Sequence, residues 1–280
     1  MKKLLCAGFA LFLLVSCQDD DNNGTNPTTT KGSNFTTTQT QFDDLTGKVY
    51  RINVSKYFNG RPEVFNYFKP DNTPSATTKF VYDTNNRISK ALSYNASNVV
   101  IGSAFYTYDN QSRLTKIETT DGTYSTIYTF THNSDKTITG KRTSSDGFEE
   151  TKTWYVNSKG LVYKEANGSK SYEITFDEKN VVSAKSNDGP IRTFEYDEKH
   201  DRSSLGTLPV FGDYKPNNIL DSYYLQDSET SASTNYLIKE LSNGEVSELH
   251  NWEFDAAGKP TKHTNISDGK TVSVTTYKFD

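Results

Sequence analysis

The chain has 280 residues, with 31 Lys and Arg against 35 Asp and Glu and a net charge of −4 at pH 7. A mildly acidic balance argues against nucleic acid as a partner, because phosphate backbones select a basic footprint. The two cysteines, Cys6 and Cys17, both lie near the start, so the rest of the chain holds no disulfide, thiol nucleophile or cysteine metal ligand.

The first predicted element is a leader. Lys2 and Lys3 precede an apolar run over residues 4–15, and small residues then lead to Cys17. This is the order of a secretory signal, and the run is shorter than the roughly 20 residues that cross a bilayer. Leu14-Val15-Ser16-Cys17 resembles a bacterial lipobox, which implies cleavage after Ser16 and acylation of Cys17. The following Gln18-Asp19-Asp20-Asp21 resembles the export signal of Bacteroidota lipoproteins that reach the outer face of the outer membrane. The expected location is therefore the outer membrane, lipid-anchored and facing the cell surface. Residues 18–41 are polar with no apolar period and read as a disordered tether, which leaves residues 42–280 as one folded domain. Asp19-x-Asp21-x-Asn23-Gly24 copies half of a calcium loop, but position twelve is Thr30 rather than Glu, so no calcium site is expected.

From there the chain is a repeat. Phe80-Val81-Tyr82-Asp83, Tyr106-Thr107-Tyr108-Asp109, Trp154-Tyr155-Val156-Asn157, Ile174-Thr175-Phe176-Asp177 and Trp252-Glu253-Phe254-Asp255 each lead into a turn and then an aliphatic residue or Pro. Alternation followed by turn residues is the pattern of a β-hairpin, and its recurrence predicts an all-β antiparallel up-and-down meander of roughly 16–18 strands. A three-residue loop with one left-handed residue pairs Tyr82 with Ile88, Tyr108 with Leu114, Val156 with Val162 and Phe176 with Val182. The left-handed positions are then Asn86, Ser112, Gly160, Asn180 and Gly258. The same register sets His250 opposite Thr264 and His263 opposite Asn251, on opposite faces, so no metal site is expected there. The last strand, ending at Phe279, is expected to pair with the first, near residues 49–57, and seal a barrel. Residues 198–222 break the rhythm and read as an irregular insertion.

The Tyr-Asp recurrence resembles the YD repeats of Rhs-type proteins. Residues 42–280 as a whole resemble a family of Bacteroidota lipoproteins with a porin-like fold, whose function is not known. The resemblance implies a barrel-like meander and supplies no catalytic residues. Charged residues on both faces of residues 138–143 favour a soluble body over a lipid-facing one.

No Gly-x-Ser-x-Gly, His-Glu-x-x-His or phosphate-loop motif is present, and no cofactor is implied. The aromatics not used by the repeat are Tyr57, Phe58, Phe65, Tyr67, Phe68, Phe211, Tyr214, Tyr223 and Tyr224. They form the expected binding surface. The expected role is non-enzymatic, with the membrane held through lipid and a glycan or an envelope protein as partner. The alternative is a glycan hydrolase using two converging carboxylates.

Overall fold

The computed structural model describes residues 33–205 and 233–280. They form eighteen antiparallel strands in one sheet. In chain order these are β1 (Phe35–Phe42), β2 (Val49–Phe58), β3 (Arg61–Phe68), β4 (Pro74–Tyr82), β5 (Ile88–Asn95), β6 (Val100–Tyr108), β7 (Leu114–Thr120), β8 (Ser125–His132) and β9 (Thr137–Ser144). They continue as β10 (Glu149–Val156), β11 (Val162–Asn167), β12 (Lys170–Phe176), β13 (Val181–Ser186), β14 (Ile191–Asp201), β15 (Asn235–Ser242), β16 (Glu245–Phe254), β17 (Pro260–Ser267) and β18 (Lys270–Phe279). Every strand pairs with its neighbours in the chain, and β1 pairs with β18 as well as β2, so the sheet closes into a barrel. Closure leaves no strand edge unpaired. Among the described residues the helical structure is a single 3-10 turn, Arg202–Leu205.

Four of the hairpin turns are built the same way. Asp83 Oδ1 accepts from the backbone N–H groups of Asn85 and Arg87 at 2.9 and 2.8 Å. Asp109, Asn157 and Asp255 repeat this with their own loops. Partial burial works against ionisation of Asp83, but its hydrogen bonds to Arg87 hold it below the usual carboxylate range. Asn86, Ser112, Gly160 and Gly258 take the left-handed conformation, at φ of 61°, 61°, 77° and 75°. The expected pairs Tyr82–Ile88, Tyr108–Leu114 and Val156–Val162 are present.

One residue beyond each such pair the ladder bulges. Ser89, Thr115 and Thr261 stand unpaired at these points, and their hydroxyls donate to the carbonyls of Val81, Thr107 and Glu253 across the hairpin. The first return residue of each hairpin faces inward: Ile88, Leu114, Ile138, Val162 and Val181 are all buried. Burying an aliphatic side chain of this size contributes about 1.5–3 kcal/mol. The hydroxyl of the motif tyrosine reaches back one hairpin. Tyr82 donates to the Pro62 carbonyl and Tyr108 to that of Ile88, and His132 Nε2 donates to Leu114 in the same way. Burial pushes both phenol pKa values up, which keeps them as donors.

Four expectations are corrected. Phe176 pairs with Val181, not Val182, and Asn180 does not take positive φ. Its loop is shorter because Asn180 is committed elsewhere: its Oδ1 accepts from the N–H groups of Thr234 and Asn235 at 3.0 Å each, clamping the entry to β15. Second, residues 35–41, read as tether, are a barrel strand, and β18 pairs with β1 rather than with β2. Third, the rhythm break begins later than residue 198, since β14 runs to Asp201. Fourth, the bulge at Thr261 shifts the register of β17 by one, so Trp252 pairs with His263 and His250 with Asn265, and both histidines face inward.

The inward positions of β7 to β14 interlock as one core that includes Leu114, Phe130, Trp154, Tyr172, Ile174 and Phe194. Gly140 is required there, because any Cβ would overlap the Trp154 ring. A polar group is carried inside this half: Lys152, 2% exposed, donates to Glu165 at 3.0 Å, and Trp154 Nε1 donates to the other carboxylate oxygen at 3.1 Å. The outer face instead carries cross-strand ion pairs, Lys164–Glu173, Lys239–Glu195 and Lys262–Glu253, at 2.6–2.7 Å.

Substitutions at these positions separate backbone strain from packing. Ser112→Gly should stabilise and Gly160→Val destabilise by about 1–2 kcal/mol each, with Gly160→Asn milder. Gly140→Ala should cost about 1–3 kcal/mol through overlap with Trp154. Denaturant unfolding of the purified variants measures all four.

Candidate functional site

Where β7 to β14 turn large apolar side chains inward, β16 to β18 and β1 to β2 turn in Gln39, Gln41, Asn53, Ser55, Asn265, Ser267, Ser273 and Thr275. These shorter polar groups leave space. One cavity of about 810 Å³ is lined by residues including Gln39, Gln41, Tyr50, Glu248, Asn265 and Lys270. A second, of about 430 Å³, is lined by residues including Phe35, Tyr57, Phe65, Tyr67, Arg202 and Tyr277. Gln39 borders both, so the lumen runs from a polar region beside the β1–β2 and β17–β18 connections to an aromatic region toward the turns at Asp83 and Asp255.

The amide groups are arranged in one sense. Gln41 Nε2 and Asn53 Nδ2 both donate to Gln39 Oε1 at 3.2 Å, and Asn265 Nδ2 donates to Glu248 at 3.2 Å. Their carbonyl oxygens, Gln41 Oε1, Asn53 Oδ1 and Asn265 Oδ1, are buried without a hydrogen-bond partner, as is His250 Nε2. Buried polar atoms are nearly always paired, and an unpaired one costs about 1–3 kcal/mol. These unpaired acceptors, Gln41 and Asn265 on the first cavity and Asn53 on the second, therefore suit a ligand that brings hydroxyl or amine donors.

His250 Nδ1 and His263 Nε2 are 3.1 Å apart, one ring donating to the other, and His263 stacks on Trp252 with ring centres 4.0 Å apart. Burial lowers both pKa values. For His263, the charge of His250 and Arg202 adds to burial and takes it down to about 4. The pair is neutral at pH 7. Among the described residues no group of three or more His, Cys, Asp or Glu could hold a metal ion.

Two inward carboxylates, Glu240 and Glu248, lie directly opposite each other on β15 and β16. Arg192 clamps Glu240 through two hydrogen bonds of 2.8 and 2.7 Å.

The expected aromatic surface divides. Tyr57 stacks on Phe35 at 4.4 Å, and with Phe65 and Tyr67 it lines the deeper cavity. Phe58, 58% exposed, and Phe68 belong to the outer face. Cys17, Gln18, Asp19, Asp20, Asp21, Phe211, Tyr214, Tyr223 and Tyr224 lie outside the described residues. Sequence reading missed Gln39 and Gln41, because residues 36–41 are all Thr or Gln and show no alternation of apolar with polar residues. It also missed Arg202, which no local pattern flags.

The histidine pair sets a pH dependence. Because both pKa values are lower in the folded chain, the unfolded chain binds more protons below the ordinary histidine value. Stability should therefore fall as pH drops from about 6.5 toward 4. Thermal melts across this range should show a decline of a few degrees, and His263→Gln should flatten it.

No family model and no curated protein matches the chain. Among solved structures it is similar to a porin-like protein from Bacteroides uniformis, 11% identical, over 90% of this chain and 98% of that one, with a TM-score of 0.43. It is also similar to a chain of the Photorhabdus luminescens Tc holotoxin pore, again 11% identical, over 80% of this chain but 14% of that one, with a TM-score of 0.22.

Proposed function

We propose that this chain is a Bacteroidota-type lipoprotein built of YD-like hairpins, anchored in the outer membrane through acylated Cys17. It faces the cell surface and binds a glycan in its barrel lumen without turning it over. The observation that carries the reading is the wall of buried, unpartnered amide acceptors beside aromatic faces. Planar amides match vicinal hydroxyls, and Tyr and Phe faces match the apolar face of a pyranose. The outer-face ion pairs support a water-exposed body on a tether, since Lys at the bilayer midplane costs about 2–4 kcal/mol.

A second reading is favoured by the opposed pair Glu240 and Glu248: a glycan hydrolase with two carboxylates across the bond. The clamp of Arg192 on Glu240 weighs against it, because both oxygens of that carboxylate already accept hydrogen bonds from the guanidinium.

Cys17→Ser should abolish both the acyl mass increment and cofractionation with membranes. Protease shaving of whole cells should remove the body, and a protected body would overturn the outward orientation. On a glycan array the purified chain should retain specific glycans, and Gln39→Leu should weaken capture about tenfold. Cleavage of a captured polysaccharide that Glu248→Gln abolishes would establish the hydrolase instead. Recovery of an envelope protein by in-cell crosslinking, with an empty array, would replace the glycan by a protein partner.

A further inference from the structure

We infer that the deeper cavity is the subsite for a terminal acidic sugar, with Arg202 as the group that binds its carboxylate. This rests on the reading of the lumen as a glycan site. After β14 the 3-10 turn places Arg202 and Leu205 in the cavity wall, facing residues of β1, β2, β3, β17 and β18. The turn is anchored: Arg202 N–H donates to the Thr234 carbonyl at 2.8 Å, and Asn235 Nδ2 donates to that of His200 at 3.1 Å. Arg202 is near enough for its charge to oppose the rise that burial imposes on the Tyr196 and Tyr277 phenols and to add to the lowering of His263 by burial and His250.

Among the described residues no carboxylate lies within ion-pair distance of Arg202. Arg87, Arg113 and Arg192, by contrast, each hold one at 2.7 Å. A guanidinium in an aromatic cavity wall, with no counter-ion among the described residues, is available to an anion, and its planar fork fits a carboxylate with two parallel hydrogen bonds. Tyr57, Phe65, Tyr67 and Tyr277 supply ring faces beside it, and Asn53 Oδ1 supplies an unpartnered acceptor for a ring hydroxyl.

The wider cavity fixes where the acid sits. Asp43, Asp44, Glu248 and Asp268 line it, against Lys270, whose ammonium donates to the Asp44 carbonyl. A second negative charge one sugar further along would meet this acidic wall. The ligand is therefore an oligosaccharide with one uronate at the end that enters the deeper cavity and neutral residues behind it.

The test is an array of matched pairs, each a neutral oligosaccharide and its counterpart with a terminal uronate, probed with the purified full chain. Homo-oligouronates of equal length make a third arm. The uronate member of a captured pair should bind about tenfold better than its neutral partner and better than the homo-oligouronate. Arg202→Gln should erase the preference of the uronate over the neutral member of each pair, and Arg202→Lys should keep part of it. Thermal melts confirm that both variants are folded. Equal capture of the two members, or a preference that survives Arg202→Gln, overturns the inference and leaves the glycan reading standing. Equal or better capture of the homo-oligouronate overturns the terminal placement. Failure of the unaltered chain to retain any member overturns the glycan reading itself.

Discussion

The side-chain carbonyl or carboxylate that opens four of the hairpin turns, accepting from two backbone N–H groups of its own loop, sets the register on which the barrel depends. In the loops at Asp83, Asp109, Asn157 and Asp255 it fixes a three-residue connection whose last residue is left-handed. That connection decides which side chains pair across the hairpin. The bulge that follows shifts the remaining ladder by one residue and increases the local twist. Repeated around the ring, these two devices keep the same face of every strand turned inward. A tyrosine hydroxyl from one hairpin to a carbonyl of the previous one then joins neighbours through side chains as well as through the sheet.

An eighteen-strand ring is wide enough to enclose open space, and the sequence fills it unevenly. On one side, Trp154 sits directly over Gly140, and even the buried Lys152 finds its carboxylate. On the other side, glutamine, asparagine, serine and threonine replace the large apolar residues. Their amide nitrogens are spent on each other and on Glu248, and their carbonyl oxygens are left over. The packed side supplies rigidity, and the open side supplies unsatisfied hydrogen-bonding capacity. A preorganised site of this kind loses little on binding, because its wall does not have to reorder.

Charge within the lumen is also graded. Acidic groups gather in the wider cavity, and Arg202 stands with the neutral His263 among aromatic rings in the other. Low-dielectric walls lengthen the reach of each charge, so such a gradient orients a ligand as well as holding it. The outer surface follows a different rule. Its Lys–Glu pairs sit opposite each other in water, where they favour solubility and the chosen register more than net stability.

The sequence by itself determined what depends on local chemistry. Alternation, the Asp turns and the Gly, Asn or Ser left-handed positions specify antiparallel hairpins, their number and most of their turn pairs, because each is decided within about ten residues. The inward aromatics Tyr57, Phe65 and Tyr67 were marked by being surplus to the repeat. What the tertiary structure decided depends on residues far apart. β1 is a polar strand, stable only because β2 and β18 flank it on both sides, so in isolation it reads as tether. Asn180 left its left-handed role because Thr234 and Asn235 arrive beside it. His250 and His263 meet only after the bulge at Thr261 shifts their strands by one residue, which turns a whole set of side chains to the other face. Arg202 lies in a segment with no pattern, and ring closure brings it against residues of β1, β2, β3, β17 and β18. The cavities exist only in the closed ring, since no single hairpin can enclose space.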